Sequence, residues 1–159
     1  MLVRKAELLL ILFTLLSSCT TKKPVVIPEH NTIIQDKGIL RSEFEKTVGN
    51  KVYFAFDSAV LSEETKDRLK KQTEWLLAHS NVIATIEGHC DERGSKNYNL
   101  ALGLRRAEAA ERFLIAQGVD KTRLTVVTYG KDRPEAEGHN KNVWKLNRRT
   151  VTVIITKTQ

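Results

Sequence analysis

Two hydrophobic periodicities alternate along the chain from residue 51 onwards, and their order limits the fold more than any other feature. Apolar residues at every second position indicate strands, whereas apolar residues three and four positions apart indicate helices. The order β-α-β-α-β-(α)-β predicts an α/β sandwich, with helices packed against a four-stranded sheet. Strands are predicted at residues 51–56, 81–89, 123–130 and 150–155, and helices at about 63–78, 96–118 and 142–147.

The N-terminus has the layout of a secretory signal. A short basic opening precedes an apolar run at residues 8–16, which is shorter than the roughly 20 residues that span a bilayer. The segment LSSC at residues 16–19 resembles the lipobox of bacterial lipoproteins, whose cysteine is acylated and becomes the new N-terminus. We therefore predict a signal peptide at residues 1–18 and lipidation of Cys19. The alternative is an ordinary signal with a cysteine near its cleavage site.

Residues 19–48 are predicted to form the lipidated N-terminus and a flexible tether. They lack a sustained period and are interrupted by prolines, which favours irregular structure, apart from a short helical turn at about residues 42–46. Thr20 follows the predicted lipidated cysteine, and the sorting rule of bacterial lipoproteins then favours the outer membrane. The remaining residues, 49–159, are predicted to form one domain.

The net charge of +7 comes from 26 basic and 19 acidic side chains. A basic protein can bind nucleic acid or an anionic surface, but here the two signs are interspersed and no block of five like charges occurs. We therefore expect no nucleic-acid partner. A basic periplasmic adaptor that binds a protein, or nucleic acid, stays the alternative function.

The segment GHCDERGSKNYNLALGLRRA, at residues 88–107, concentrates reactive and charged groups where a strand ends and a helix follows. Ligands commonly bind at such junctions of α/β folds. A catalytic group built from His89, Cys90 and Asp91 is disfavoured, because neighbouring residues of a strand point to opposite faces. A metal site would need a second pair of ligands at suitable spacing. We therefore expect no catalysis, no metal and no cofactor.

Two interpretations of Asp91 and Arg106 stay open at this point. They can form a surface or half-buried ion pair, which contributes little to stability. Alternatively, they form a clamp for one ligand, in which Asp91 receives an ammonium group while Arg106 holds a carboxylate. The planar guanidinium fork is well suited to a carboxylate.

Four segments carry a family resemblance in their order along the chain. The segments FAFDSAVL, EGHCDERGSKNYNLALGLRRA, YGKDRPEAEGHN and LNRRTVTV resemble the signature segments of the OmpA-like peptidoglycan-binding domain. Together with the lipobox, they are most similar to the lipoproteins of that family. The resemblance covers residues 51–155. It implies an OmpA-like fold with a four-stranded mixed sheet, and a binding function without catalysis.

The resemblance also implies a ligand, namely the peptidoglycan stem peptide, bound noncovalently at meso-diaminopimelate. The free end of that residue carries both an ammonium and a carboxylate group. Asp91 would bind the ammonium and Arg106 the carboxylate. Phe56 and Asp57, from the end of the first strand, would line the pocket. Asn99 would organise the loop, and Leu102 would pack against the ligand.

The resemblance implies a partner at each end of the protein. One is the lipid of the outer membrane, reached through the acylated Cys19, and the other is peptidoglycan. The family further implies association with TolB and other Tol proteins, and a role in drawing the outer membrane inward during division.

Several residues in or beside these segments stay outside the implied clamp. Cys90 departs from the family, which more often has alanine or threonine there, so we expect it to fill a small buried space. A disulfide with Cys19 would require the lipobox interpretation to be wrong. Trp144 is expected to be a packing residue. The pattern leaves open whether Arg148 or Arg149 approaches the site.

Overall fold

The computed structural model describes residues 38–156, so the predicted signal peptide, Cys19 and most of the predicted tether lie outside the described residues. From residue 51 the elements follow the predicted order: β1 (Lys51–Tyr53), α1 (Glu63–Ala78), β2 (Val82–His89), α2 (Lys96–Ala116), β3 (Leu124–Gly130), α3 (Lys141–Asn147) and β4 (Arg149–Thr156). A single 3-10 turn at Lys121–Arg123 leads into β3. Within the described range, no helix combines the length and apolar character that crossing a membrane requires.

The four strands form one sheet in the order β1-β4-β2-β3. Strand β4 runs antiparallel to both of its neighbours, whereas β2 and β3 run parallel. A parallel pair needs a crossover connection, which α2 supplies. Helices α1 and α2 cover the same face of the sheet, where Thr152 of β4 binds Gln72 and Thr128 of β3 binds the Leu100 carbonyl. The predicted sandwich with a mixed sheet is confirmed.

Both long helices begin at a serine that caps the first turn. Ser62 Oγ accepts the Thr65 N–H at 3.2 Å, and Ser95 Oγ accepts the Tyr98 N–H at 3.2 Å. Such caps satisfy backbone donors that the helix itself leaves unpaired. Aliphatic side chains of the helices and β2 fill the core between them, among them Leu69, Leu76, Val82, Ile86 and Leu114.

Helix α2 lies against β2 at a contact between two glycines. A Cβ atom on Gly88 would lie 1.9 Å from the backbone oxygen of Gly103, and one on Gly103 would lie 2.4 Å from Thr128 Oγ1. No side chain fits at either position, which explains a glycine in mid-helix despite its cost of about 1 kcal/mol relative to alanine. The contact brings the start of α2 beside the end of β2.

Strand β1 is shorter than predicted, because it ends at Tyr53 rather than at residue 56. Arg106 of α2 accounts for the difference. Its Nη2 donates to the Ala55 carbonyl at 3.0 Å, and its Nε donates to the Ser58 carbonyl at 2.8 Å. The chain therefore curls around a buried guanidinium instead of continuing the strand.

The packed core begins ahead of the domain boundary predicted at residue 49. Residues 38–48 are helical and end in a π-helical segment at Phe44–Val48. Phe44 is fully buried, and its ring packs against Trp75 of α1 with the ring centroids 4.9 Å apart. The end of the predicted tether is therefore part of the core, because its apolar side chains pack against α1.

Candidate ligand-binding site

A pocket of about 150 Å³ lies where the loops after β1 and β2 meet the first turns of α2. All six side chains that the family pattern assigns to the site line this pocket: Phe56, Asp57, Asp91, Asn99, Leu102 and Arg106. Five residues that the sequence analysis did not assign line it too: Cys90, Arg93, Gly94, Tyr98 and Arg148. The structure brings the predicted residues together, and their roles as ligand contacts stay predictions.

Arg106 forms the positively charged floor of the pocket and is fully buried. Besides its bonds to the Ala55 and Ser58 carbonyls, its Nη1 donates to the His89 carbonyl at 2.9 Å and to Cys90 Sγ at 3.4 Å. These contacts within the described chain use four of its five N–H groups and leave one hydrogen on Nη2. Burial lowers the pKa of Arg106, but an arginine stays charged in proteins.

Asp91 supplies the opposite charge, and its side chain is only 5% exposed. Arg93 donates to it from Nη2 at 2.6 Å, from Nε at 3.1 Å and from its backbone nitrogen at 3.2 Å. Arg148 Nη1 donates to it at 3.3 Å. Burial alone would raise the pKa of Asp91, but the hydrogen bonds from Arg93 and Arg148 outweigh burial and hold that pKa below its ordinary value. Asp91 is therefore an ionised carboxylate.

Arg93 closes the pocket over Asp91. Its guanidinium lies between two aromatic rings, 4.0 Å from the centroid of Phe56 and 4.0 Å from that of Trp144. A cation on an aromatic face is attracted by the ring electrons. Trp144 was expected to be a packing residue. Instead it stacks on Arg93, and its Nε1 donates to Glu92 at 2.8 Å.

Arg148 approaches the pocket and Arg149 does not. Arg148 Nε donates to the Phe54 carbonyl at 3.0 Å while Nη1 reaches Asp91. Arg149 begins β4 and points to the other face of the sheet, where it pairs with Glu135 at 3.0 Å. Neighbouring residues at a strand end point in opposite directions, so one of two adjacent arginines belongs to the site.

Hydrogen bonds hold the pocket walls in place. Asn99 Nδ2 donates to the Arg93 carbonyl at 2.8 Å and to the Ser95 carbonyl at 3.1 Å, which fixes the loop between β2 and α2. The Tyr98 hydroxyl donates to Asp57, which has a positive φ of 52°. These bonds join the loop after β1 to the start of α2.

Cys90 and Leu102 form the apolar part of the pocket, and both are buried. Cys90 Sγ donates to the Asn99 carbonyl at 3.3 Å. Burial raises the pKa of the Cys90 thiol, so the thiol is protonated at neutral pH and is a poor nucleophile. Leu102 adds an apolar side chain to the lining of the pocket.

His89 does not join Cys90 and Asp91. Its ring is buried on the face of the sheet opposite the helices, 5.5 Å from the ring of Tyr129, and neither ring nitrogen has a hydrogen-bond partner among the described residues. Burial, aided by the positive charge of Arg149, lowers the pKa of His89 to about 4. The three residues thus do not form a catalytic cluster. Within residues 38–156 no group of His, Cys, Asp and Glu side chains could hold a metal ion.

Sequence reasoning missed Arg93 and Tyr98, which line the pocket, and Trp144, which stacks on Arg93. It left open whether Arg148 or Arg149 approaches the site, and the structure selects Arg148. Arg93 is the one with a local signal, since it lies in the same loop as Asp91. Trp144 and Arg148 reach the site from α3 and its end, and a contact between such distant segments leaves no pattern in a single sequence.

Comparison with known proteins first defines the class. Residues 53–148 match the model of the OmpA family, and the chain belongs to this family. That range contains every residue that lines the pocket. The family match confirms the resemblance seen in the sequence.

The individual relatives are more specific. The chain is 41% identical over 114 residues to the peptidoglycan-associated lipoprotein of Agrobacterium fabrum, covering 72% of this chain and 64% of the relative. It is 42% identical over 112 residues to that of Brucella melitensis, covering 70% and 67%. The matched segment thus spans about two thirds of the length of these curated relatives.

Solved structures agree with these matches. The crystal structure of the peptidoglycan-associated lipoprotein from Burkholderia pseudomallei superposes with a TM-score of 0.67 at 36% identity, over 70% of this chain and 96% of that one. The periplasmic domain of Helicobacter pylori MotB superposes with a TM-score of 0.58 at 18% identity, over 68% and 75%. The second likeness shows the shared fold alone.

Proposed function

We propose that the chain is an outer-membrane lipoprotein whose domain binds the diaminopimelate-containing stem peptide of peptidoglycan noncovalently. One observation carries the proposal. A buried carboxylate, Asp91, and a buried guanidinium, Arg106, line the same small pocket with an apolar residue, Leu102, beside them. The names of the relatives support it, because they describe lipoproteins associated with peptidoglycan.

The pocket suits a ligand end that carries both signs of charge. The ammonium of diaminopimelate would pair with Asp91, and its carboxylate would accept from the remaining Nη2 hydrogen of Arg106 and from Arg148. The carbon chain between them would lie on Leu102. Each charge of the ligand then meets an opposite charge, and no charge is left buried without a partner.

Binding on this scheme is an exchange of partners at Asp91. In the ligand-free domain Arg93 already occupies both carboxylate oxygens. The ligand ammonium must therefore displace the Arg93 guanidinium, which leaves its place between Phe56 and Trp144. Because one ion pair replaces another, the net gain from Asp91 is smaller than for a free carboxylate.

The wider role follows from an anchor at one end and a binding domain at the other. Acylation of Cys19 would hold the chain on the outer membrane, and the domain would hold the wall, without turnover. Association with TolB and other Tol proteins, and a role in division, belong to the same proposal and rest on the family resemblance.

Calorimetric titration of the detergent-solubilised full-length protein with a diaminopimelate-containing stem tripeptide tests this function. We expect saturable binding, with affinity reduced at least about tenfold in Asp91→Asn. The tripeptide with lysine in place of diaminopimelate should bind more weakly, since lysine lacks the second carboxylate.

Arg112→Gln is the matched control, because Arg112 lies on α2 with its side chain 67% exposed. Circular dichroism would show that each variant is folded. Equal affinity of Asp91→Asn and the wild type would overturn the proposed site. Failure of the wild type to bind would move the function to a protein partner.

A further inference from the structure

A second cleft adjoins the pocket and shares one wall with it. This cleft, of about 260 Å³, lies along the outer edge of β1 and beside the first turns of α1. Glu64 is the acidic residue in its lining. Four basic side chains also line it: Lys51, Arg68, Lys145 and Arg148. Arg148 lines both cavities, so the cleft is next to the pocket.

The cleft carries positive charge that the described part of the chain does not neutralise. Lys51 pairs with Glu135 at 2.7 Å, and Arg148 shares Asp91 with Arg93. Arg68 instead donates from Nη1 to a backbone carbonyl, at 3.0 Å. No ion pair within residues 38–156 includes Arg68 or Lys145.

The backbone of β1 adds hydrogen-bond donors to the same cleft. The bonds from Phe54 N to Arg148 O and from Thr152 N to Asn50 O direct the even-numbered residues of this segment towards β4. Lys51 and Tyr53, which alternate with them, therefore turn their N–H groups to the outer edge. No strand within the described residues pairs with that edge. Cationic side chains next to backbone donors suit a ligand with carboxylates and an extended peptide backbone.

We propose that this cleft is a second subsite, which binds a further carboxylate of the same stem peptide whose diaminopimelate end lies in the pocket. The proposal rests on the proposed function. Stem peptides are acidic and carry carboxylates besides the one at the free end of diaminopimelate. Phe54 and Ala55 line the cleft, the next residues Phe56 and Asp57 line the pocket, and Arg148 lines both. On this proposal an extended peptide would occupy both cavities. Affinity for the peptide then exceeds affinity for free diaminopimelate.

Paired titrations of the full-length protein test the subsite, one with free meso-diaminopimelate and one with the stem tripeptide. Arg68→Gln and Lys145→Gln should each weaken tripeptide binding about threefold to tenfold and leave diaminopimelate binding unchanged. Lys145→Gln is the safer variant, because Arg68 also donates to the Val48 carbonyl and its replacement removes that structural bond. Glu64→Gln should strengthen tripeptide binding, and Arg112→Gln should change neither titration.

Chemical variants of the ligand provide the second arm. A tripeptide whose other carboxylates are amidated should bind the wild type as weakly as Lys145→Gln binds the unmodified tripeptide. An unrelated acidic peptide should not compete.

Three outcomes would overturn the subsite. Unchanged tripeptide affinity in both Arg68→Gln and Lys145→Gln would overturn the subsite. Diaminopimelate binding by the same variants would still support the proposed pocket. Capture of the unrelated acidic peptide, dependent on Arg68 and Lys145 but not on Asp91, would make the cleft a protein-docking site. Absence of wild-type binding to both ligands would overturn the subsite together with the proposed function.

Discussion

Arg93 holds Asp91 through two side-chain contacts, from Nη2 at 2.6 Å and from Nε at 3.1 Å, while Phe56 and Trp144 cover the two faces of its guanidinium. The acid that the proposed ligand needs is thus paired within the protein before any ligand arrives. The pair avoids the larger penalty of a buried carboxylate that has no cation bonded to it. Recognition then depends on how readily Arg93 leaves.

Replacing Arg93 with alanine should increase affinity for the diaminopimelate tripeptide. The variant removes the group that competes with the ligand ammonium, while Arg148 still neutralises part of the Asp91 charge. We expect a gain of about threefold to tenfold in calorimetric titration. A loss of affinity would show instead that Arg93 itself contacts the bound ligand.

Ligand binding should change the fluorescence of Trp144. The indole faces the Arg93 guanidinium and donates to Glu92, so departure of Arg93 alters its surroundings. Arg93→Ala should abolish most of the ligand-induced change in emission while binding persists. An equal change in this variant and the wild type would contradict displacement. Trp75 is buried against Phe44 and serves as an internal reference.

Acid should destabilise the domain through His89. Its pKa is about 4 in the folded protein and about 6.5 in an unfolded chain, so the unfolded state binds the extra proton between these values. The free energy of unfolding should therefore fall as the pH is lowered from about 6.5 to 4, by up to about 3 kcal/mol from this residue. The Glu87 carboxylate, 3.6 Å from Nε2, favours the protonated ring, but burial and the positive charge of Arg149 outweigh it and keep the pKa of His89 low.

His89→Phe should remove this contribution, because phenylalanine keeps a ring beside Tyr129 and takes up no proton. Denaturant unfolding at several pH values would give the difference between variant and wild type. An NMR titration of the His89 ring with a midpoint near 6.5 would contradict the account.

The glycine contact between α2 and β2 should tolerate no side chain. Gly88→Ala would place a Cβ against backbone atoms of Gly103, and backbone cannot move aside as a side chain can. We expect a loss of about 3 kcal/mol or more in unfolding free energy, at the upper end of overpacking costs. Gly38→Ala is the control, because no neighbouring atom among the described residues lies within 4 Å of its Cβ position. Equal stability of both variants would contradict this packing.

Arg106→Lys should destabilise the domain more than Arg148→Gln does. Arg106 joins the loop after β1 to the end of β2 by bonds that a lysine ammonium cannot reproduce. We expect a decrease of about 3 kcal/mol in unfolding free energy, as for other broken buried charge networks. Thermal unfolding of the two variants measures this difference in stability. A smaller loss of stability in Arg106→Lys than in Arg148→Gln would show that the Arg106 guanidinium is not structural.

The order of elements could be predicted because it depends on local periodicity. The length of β1 could not, because Arg106 captures the carbonyls of Ala55 and Ser58 from far along the chain. Phe44 was assigned to the tether for the same reason, since its burial against Trp75 is a tertiary contact.

The candidate site shows the same division. Asp91 and Arg106 lie in one segment, and the family pattern supplied the other four assigned residues. The sequence did not distinguish Arg148 from Arg149. The structure does, because β4 begins at Arg149, which pairs with Tyr53 of β1, whereas Arg148 precedes the strand. The place of Arg93 between Phe56 and Trp144 depends on three separate segments.

A crystal structure of the full-length protein with a diaminopimelate-containing stem tripeptide tests the central claim most directly. The account predicts the ligand ammonium within hydrogen-bond distance of Asp91, its carboxylate against Arg106 and Arg148, and the Arg93 guanidinium withdrawn from between the two rings. A ligand bound at another surface, with Arg93 still paired to Asp91, would contradict it.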